Sequence, residues 1–543
     1  MPVMTGGQAV VRALIDNGVD TVFGIPGVQL DPLYDAFYER RNNLKVVHSR
    51  HEQGAAFMAM GYAQATGRTG VFAIVPGPGL LNAMTAVITA NSANQPVLGI
   101  TGQIPSQHIG KNYGIAHEVK DQLAMSRGVV DWAERADHPS EVPALLDAAF
   151  THCHSGRNKA ALFEMAPDQY LATAEVEPLP AATPRPAPQP DAILLADAAK
   201  RLHGAKRPII LVGGGVVGAE GELKAVAEKL GAPVVMSPSG RGALSDEHPL
   251  AFNQLAGQRL WDDADVALVV GRRFSTPGLA WGRVGEVALV RIDIDPTQIV
   301  KPRKSDVALL TSSQIGLARL DMALSNLDPR RTELWQGADA VRQEIAVQLD
   351  ALEPLSGYNR AVRAALPRDG MLFADVTRFT VFSRFGMPFY QPRSFFMPGF
   401  QATLGWSYPA ALGAKIGSPY RKVVATVGDG GFGFTMQELA TAVLHKIPVT
   451  VVVFDNSAYG NVKTIQANQF GGRHIAVDLA NPDWVKVAEA FGMKGEKAES
   501  EAQLEEVLSR HLALDAPSLI TVPVGEMPNV WNLVRRPPSA GGG

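Results

Sequence analysis

The stretch "VVATVGDGGFGFTMQELATAVLHKIPVTVVVFDNSAYGN", residues 423–461, decides the fold. Two runs rich in β-branched residues, 423–427 and 448–454, are too uniformly apolar for strands with one wet face, and a helix-like segment separates them. That pattern predicts parallel neighbours buried on both faces and joined by a right-handed crossover. In open α/β sheets ligands sit beyond the carboxyl ends of strands, where helix amino termini offer unpaired N–H groups that suit phosphate. Gly428, Gly430 and Gly431 bring bare backbone to the first tip. Alone, Gly-Asp-Gly reads as a tight turn. Twenty-seven residues after Asp429, however, Asn456 stands at an equivalent tip. If the strands are neighbours, two hard oxygen ligands meet phosphate-facing backbone. That set suits Mg²⁺, which takes few protein ligands and completes its octahedron with diphosphate oxygens and water.

Working outward, "TVFGI", "GVFAIV", "PVLGITG", "PIILVGGG", "VALVVG" and "ALVRIDID" repeat the alternation of buried strand and helix, so the fold class is α/β throughout. A chain of 543 residues exceeds one core. Six prolines within 175–190 mark a linker in which neither helix nor sheet persists. The expected organisation is a domain over 1–175, a linker over 176–190, a central domain over 191–328, a helical connection over 329–358, a third domain over 359–528 and a tail over 529–543. Trp531 and Leu533 could fold back onto the body. The net charge of −3 gives no hint of a nucleic-acid partner, and no apolar run reaches the ~20 residues of a membrane span. Cys153 is the only cysteine, which rules out an intrachain disulfide and fits a reducing cytoplasm. At the amino terminus, Thr5 caps a short amphipathic helix, unlike a signal peptide.

Gly428-Asp429-Gly430 with Asn456 at this spacing resembles the thiamine diphosphate-binding motif of thiamine-dependent enzymes. The resemblance implies that the Asp429 and Asn456 side chains and the Ala458 main-chain oxygen hold Mg²⁺. Gly430 and Gly431 would approach the diphosphate, with Gly428, Tyr459 and Gly460 in the same binding strip. Many relatives carry Asn-Asn where this chain has Asp455-Asn456, and only the second position ligates. Such a cofactor must lose a proton from its thiazolium carbon, and a carboxyl group against its aminopyrimidine ring promotes that loss. Glu52, after a strand and heading an apolar helix, is the candidate; taken alone it is a favourable first-turn helix acid. Arg50 to Ala56, "RHEQGAA", resembles the catalytic segment of acetolactate synthases. By the same resemblance Pro26 and Gly27 form a turn against the aminopyrimidine, Gly77 permits a tight loop, and Asn82 caps the next helix beside the cofactor. Leu404 aligns with the apolar wedge that bends the cofactor. The implied architecture is the thiamine diphosphate-binding fold twice, around a Rossmann-like central domain. The resemblance also implies a homodimer at minimum, because acid and diphosphate site come from different subunits, with a homotetramer as the expected assembly.

The central domain carries Gly213, Gly215 and Gly218 in dinucleotide-like spacing, but the next strand ends at Met236 and Ser237 rather than at an acid for a ribose. Tight glycine packing is the favoured reading. "VVGRRFSTPG" and "RIDIDPTQI" resemble segments near FAD in acetolactate synthases, yet the segment after "GRGALSDEHPL" departs from them, so FAD is not favoured. Substrate choice is expected at His117, an acid or base candidate, and at Gln29, Asn461 and Ile465, where the chain also departs from acetolactate synthases. The implied function is a Mg²⁺- and thiamine diphosphate-dependent carbon-carbon lyase or carboligase. It would decarboxylate a small 2-keto acid such as pyruvate and could ligate the acyl fragment to a carbonyl. The open alternatives are a 2-hydroxyacyl-CoA lyase or oxalyl-CoA decarboxylase-like enzyme, a cyclic diketone hydrolase, and a non-catalytic binding relative.

Overall fold

A computed structural model describes residues 1–283, 285–328 and 335–534. Three six-stranded, all-parallel sheets account for the body, each flanked by helices. Numbering strands within each domain, the first sheet (Thr21–Gly24 to Ala161–Met165) and the third (Met371–Ala374 to Ser518–Pro523) share the order 2-1-3-4-6-5. The central sheet (Pro208–Val212 to Val307–Leu310) has the order 3-2-1-4-5-6, that of dinucleotide-binding folds. The expected class, two like outer domains around a Rossmann-like centre, is the one observed.

The two strands read first, Val423–Gly428 and Thr450–Asp455, are parallel neighbours with Gly428 opposite Phe454, so their tips are level. Their β-branched side chains are buried on both faces, and a solvated parallel sheet is thereby avoided. Thr5 does cap the first helix, in a capping box with Gln8. In the centre, Gly213 and Gly215 lie against the backbone of Gly271, and the next helix begins only at Glu220. The glycines therefore serve loop-to-loop packing. Of the expected tail, Val530 is buried and the Trp531 ring stands 6.0 Å from Phe385, so this part folds back; residues 535–543 lie outside the described residues.

One core runs continuously through both outer domains. Its centre is a crossing of two equivalent helices, Glu52–Thr66 and Ser407–Gly417, each following the second strand of its sheet. A Cβ at Gly61 would overlap the Ala410 carbonyl, and one at Gly413 would overlap the Met58 carbonyl. The contact is reciprocal, as across a two-fold axis, and glycine lets the two backbones touch.

Candidate active site

At the tip of Val423–Gly428 the glycine-rich turn opens as a short helix, Asp429–Phe432, so its first N–H groups face outward from the strand end. From the neighbouring strand Ser457 turns back with φ +51, and the Ala458 N–H donates to Asp429 Oδ2 at 3.2 Å. Asn456 sits at the start of this turn, against Gly460. Asp429 and the Ala458 main chain thus meet at this tip, and Asn456 stands two residues before Ala458 in the same turn. Burial raises the Asp429 pKa, a hydrogen bond from Asn481 opposes this, and the nearby Asp455 carboxylate raises it further. The Tyr459 ring covers Gly430, where a Cβ would come within 2.7 Å. A side chain here would have to displace that ring, so the position favours bare backbone, the kind of surface that suits phosphate. Among the described residues no cluster of three or more His, Cys, Asp or Glu is placed to hold a metal. Asp429, Asn456 and the Ala458 carbonyl would offer a cation few, hard oxygen ligands and leave the rest to phosphate and water, a set that suits Mg²⁺.

Asp375, at the tip of Met371–Ala374, is buried and accepts N–H groups from Val376, Gly405 and Ser407. It holds the turn that carries Leu404 through the two residues Gly405 and Ser407 that follow it, and its pKa is raised by burial. Thr403 binds Thr89 across 2.8 Å, docking that turn on the first domain.

In the first domain Glu52 heads its helix, with His51 as N-cap accepting from the Gln53 N–H. Asn82 donates to Glu52 Oε2 at 3.1 Å. Asn82 is not a helix cap, contrary to expectation: the helix is Pro78–Ser92 with Gly77 at the cap position. Proline has a pre-set φ and no N–H to satisfy, so the helix starts there and leaves Asn82 one turn inside, its amide free for Glu52. Gly77 has φ +60, and the His117 carbonyl lies 2.6 Å from where its Cβ would be. Gln122, fully buried, accepts the Gly77 N–H and donates to the Gly102 carbonyl and to Glu164. Gln29 reaches the Ala116 carbonyl at 3.4 Å, so Gln29, Gly77 and His117 share one loop cluster. Two buried polar atoms there, Gln29 Oε1 and His117 Nδ1, have no partner. Pro26 and Gly27 follow the adjacent strand, with Gly27 against Val75.

The candidate residues thus fall into two groups. Among the described residues no hydrogen bond joins Glu52, Asn82, Gly77, His117 or Gln29 to Asp429, Asn456 or Ala458. What connects their surroundings is Glu438, fully buried, which accepts the N–H groups of Arg50 and His51 and the Thr441 hydroxyl. Burial pushes its pKa up to about 7 despite these bonds. Asn461 and Ile465 lie on Gly460–Gln469, a helix with no buried residue. Sequence reasoning missed Glu438, Asn481, Gln122 and Asp375. Only Asp375, an acid ending a buried strand, carried a local signal.

Comparisons with known proteins agree with this geometry. "Thiamine pyrophosphate enzyme, N-terminal TPP binding domain" matches residues 4–125, the central domain of the same enzymes matches 195–320, and "C-terminal TPP binding domain" matches 375–522. The chain belongs to the thiamine pyrophosphate enzymes. This thiamine pyrophosphate enzyme is 31% identical to a probable acetolactate synthase large subunit of Methanocaldococcus jannaschii, covering 96% of this chain and 92% of that one. It is 32% identical to the acetolactate synthase isozyme 2 large subunit of Escherichia coli, over 99% and 98% of the two chains. It is 33% identical to a probable 2-ketoarginine decarboxylase of Pseudomonas aeruginosa, over 95% and 93%. It is therefore a thiamine diphosphate-dependent enzyme of the acetolactate synthase and decarboxylase family. Among its described residues no helix is long and apolar enough to cross a membrane.

Proposed function

We propose that the enzyme uses Mg²⁺ with thiamine diphosphate to decarboxylate a small 2-keto acid such as pyruvate, and that it ligates the remaining acyl fragment to a carbonyl acceptor. The observation that carries this reading is Glu52 at a strand tip, its carboxylate oriented by Asn82. A non-catalytic relative has no use for an oriented acid. Bound thiamine diphosphate supplies a ring carbon that becomes nucleophilic on losing its proton. Asp429, Asn456 and the Ala458 carbonyl hold the cation, and the backbone of Gly430 and Gly431 receives the diphosphate. Glu52 holds the proton that the aminopyrimidine ring exchanges. Pro26, Gly27 and Gly77 shape the wall beside that ring, and Leu404 presses on the cofactor from the turn pinned by Asp375. His117 and Gln29, each with an unpartnered buried atom, face the substrate together with Asn461 and Ile465.

The working unit in this reading is a homodimer or a homotetramer in the cytoplasm, in which Glu52 of one chain serves the diphosphate site of another. Supporting it, Leu81 and Ile88 on the helix of Asn82, and Phe434 and Leu444 beyond the glycine turn, are exposed apolar side chains awaiting cover. FAD has no part in the reading, because the central glycines are taken up by packing against Gly271.

The deciding experiment loads the protein with Mg²⁺ and thiamine diphosphate. It then offers 2-keto acids including pyruvate and 2-ketoarginine, aldehydes, cyclic diketones and acyl-CoA esters, with products identified by NMR. Carbon dioxide release from a 2-keto acid is expected; turnover of a diketone or CoA ester alone would overturn the assignment.

A further inference from the structure

Two carboxylates, not one, stand at the glycine turn. Asp455 ends the strand Thr450–Asp455 directly before Asn456, and its nearness to Asp429 raises the latter's pKa. Each has a defined set of donors. Asp455 Oδ2 accepts the Trp484 indole N–H at 2.8 Å, and Oδ1 accepts the Ser457 N–H at 2.9 Å and the Ser457 hydroxyl at 3.3 Å. Asp429 Oδ2 accepts the Ala458 N–H at 3.2 Å. Between the two acids lies Asn481, whose single amide nitrogen donates to Asp429 Oδ2 at 2.7 Å and to Asp455 Oδ1 at 2.8 Å. An amide nitrogen has two hydrogens, and this one spends one on each acid.

We propose that Asn481 is a positioning residue that reserves the cation for Asp429 by masking Asp455. Oxygens already receiving N–H donors are poor cation ligands. With Asn481 and Trp484 in place, Asp455 has side-chain donors on both oxygens, whereas Asn481 and the Ala458 N–H both approach Asp429 on Oδ2, the oxygen turned away from the metal in this inference. Without Asn481, Asp455 Oδ1 would keep only the Ser457 N–H and the long 3.3 Å bond from the Ser457 hydroxyl, which a cation can displace, so the two acids would compete and the cation would be drawn toward Asp455 and away from the diphosphate. Outer partners of metal ligands have effects of about 10–100-fold on affinity. The inference rests on the reading above that Asp429 is a cation ligand.

The test measures free Mn²⁺ by electron paramagnetic resonance, with and without thiamine diphosphate, so that the cofactor's enhancement of Mn²⁺ affinity is the readout rather than turnover. In N481L that enhancement should fall by about tenfold or more, while Mn²⁺ alone binds at least as tightly as in the parent. In the double variant N481L/D455N the enhancement should return to within about threefold of the D455N value, because no second acid remains to compete. A smaller fall in N481L, or a fall that D455N does not relieve, overturns the masking role, since a merely structural asparagine would lose affinity equally in both backgrounds. Should N481L not fold, N481S carries the same comparison. D429A separates the two layers: if it binds Mn²⁺ with cofactor as tightly as the parent, the cation-ligand reading falls and the inference with it. If D429A loses Mn²⁺ but N481L does not, the inference alone fails.

Discussion

The carboxylate of Glu438, in the third domain, accepts the backbone N–H of His51, the residue directly before Glu52, at 3.1 Å. An acid on the helix that follows the glycine turn therefore fixes the entry to the helix headed by the candidate catalytic acid. Burial pushes its pKa from the ordinary 4.5 to about 7, so the folded protein holds this proton more tightly than the unfolded chain does. Stability should accordingly fall as pH rises from about 4.5 to about 7 and stay level above, by up to ~3 kcal/mol. E438Q cannot ionise and should lack that fall. Denaturant unfolding of both proteins near pH 5 and near pH 8 checks this; equal pH slopes would place the proton elsewhere.

Replacing Glu52 tests the chemistry without touching the cation. E52Q should lose turnover by roughly 10²–10⁴-fold, the range of a lost acid–base group, while thiamine diphosphate affinity stays within about tenfold. Fluorescence titration of the cofactor beside the kinetic assay separates the two. N82A removes one hydrogen bond to a charged group and should cost about tenfold in kcat/KM, equivalent to ~1.5 kcal/mol. An N82A variant as active as the parent would show that Glu52 needs no orientation.

For Asp429 the pattern is reversed. D429A should weaken Mg²⁺ and cofactor binding together, with turnover recovering in part at high concentrations of both. Calorimetric titration measures each affinity. A D429A protein that binds both as the parent does would remove this residue from the cation site.

The helix crossing predicts a pure stability effect. G61V sets a side chain into the Ala410 carbonyl, and overpacking of this kind costs typically ~1–3 kcal/mol, more where backbone is the obstacle. G413A should do the same from the other side. Lower melting temperatures for both, read by differential scanning calorimetry, are the expected result; unchanged values would mean that the helices separate at little cost.

The sheets were legible in the sequence because buried parallel strands write uninterrupted β-branched runs, and Asp429 with Asn456 because two strand tips joined by one crossover keep a fixed spacing. Asn82 was misread for a local reason: an asparagine near a helix start resembles a cap until Pro78 is seen to set the start. Glu438 could not be read at all. Its partners are 387 and 388 residues away in sequence, and a glutamate in a helix otherwise predicts only solvent. Asn481 was hidden similarly, since its value lies in standing between two acids at the tips of different strands. Gln122 carries no local signal either, although its side chain accepts the Gly77 N–H.

The reciprocal crossing of Glu52–Thr66 and Ser407–Gly417 also constrains how the gene can change. Gly61 answers to residue 410, and Gly413 to residue 58, so bulk gained in one half must be surrendered in the other. Two segments encoded more than a thousand bases apart are thereby inherited as a single lock. The half that carries the acid and the half that cradles the phosphates can drift in their loops, but not in their shared spine.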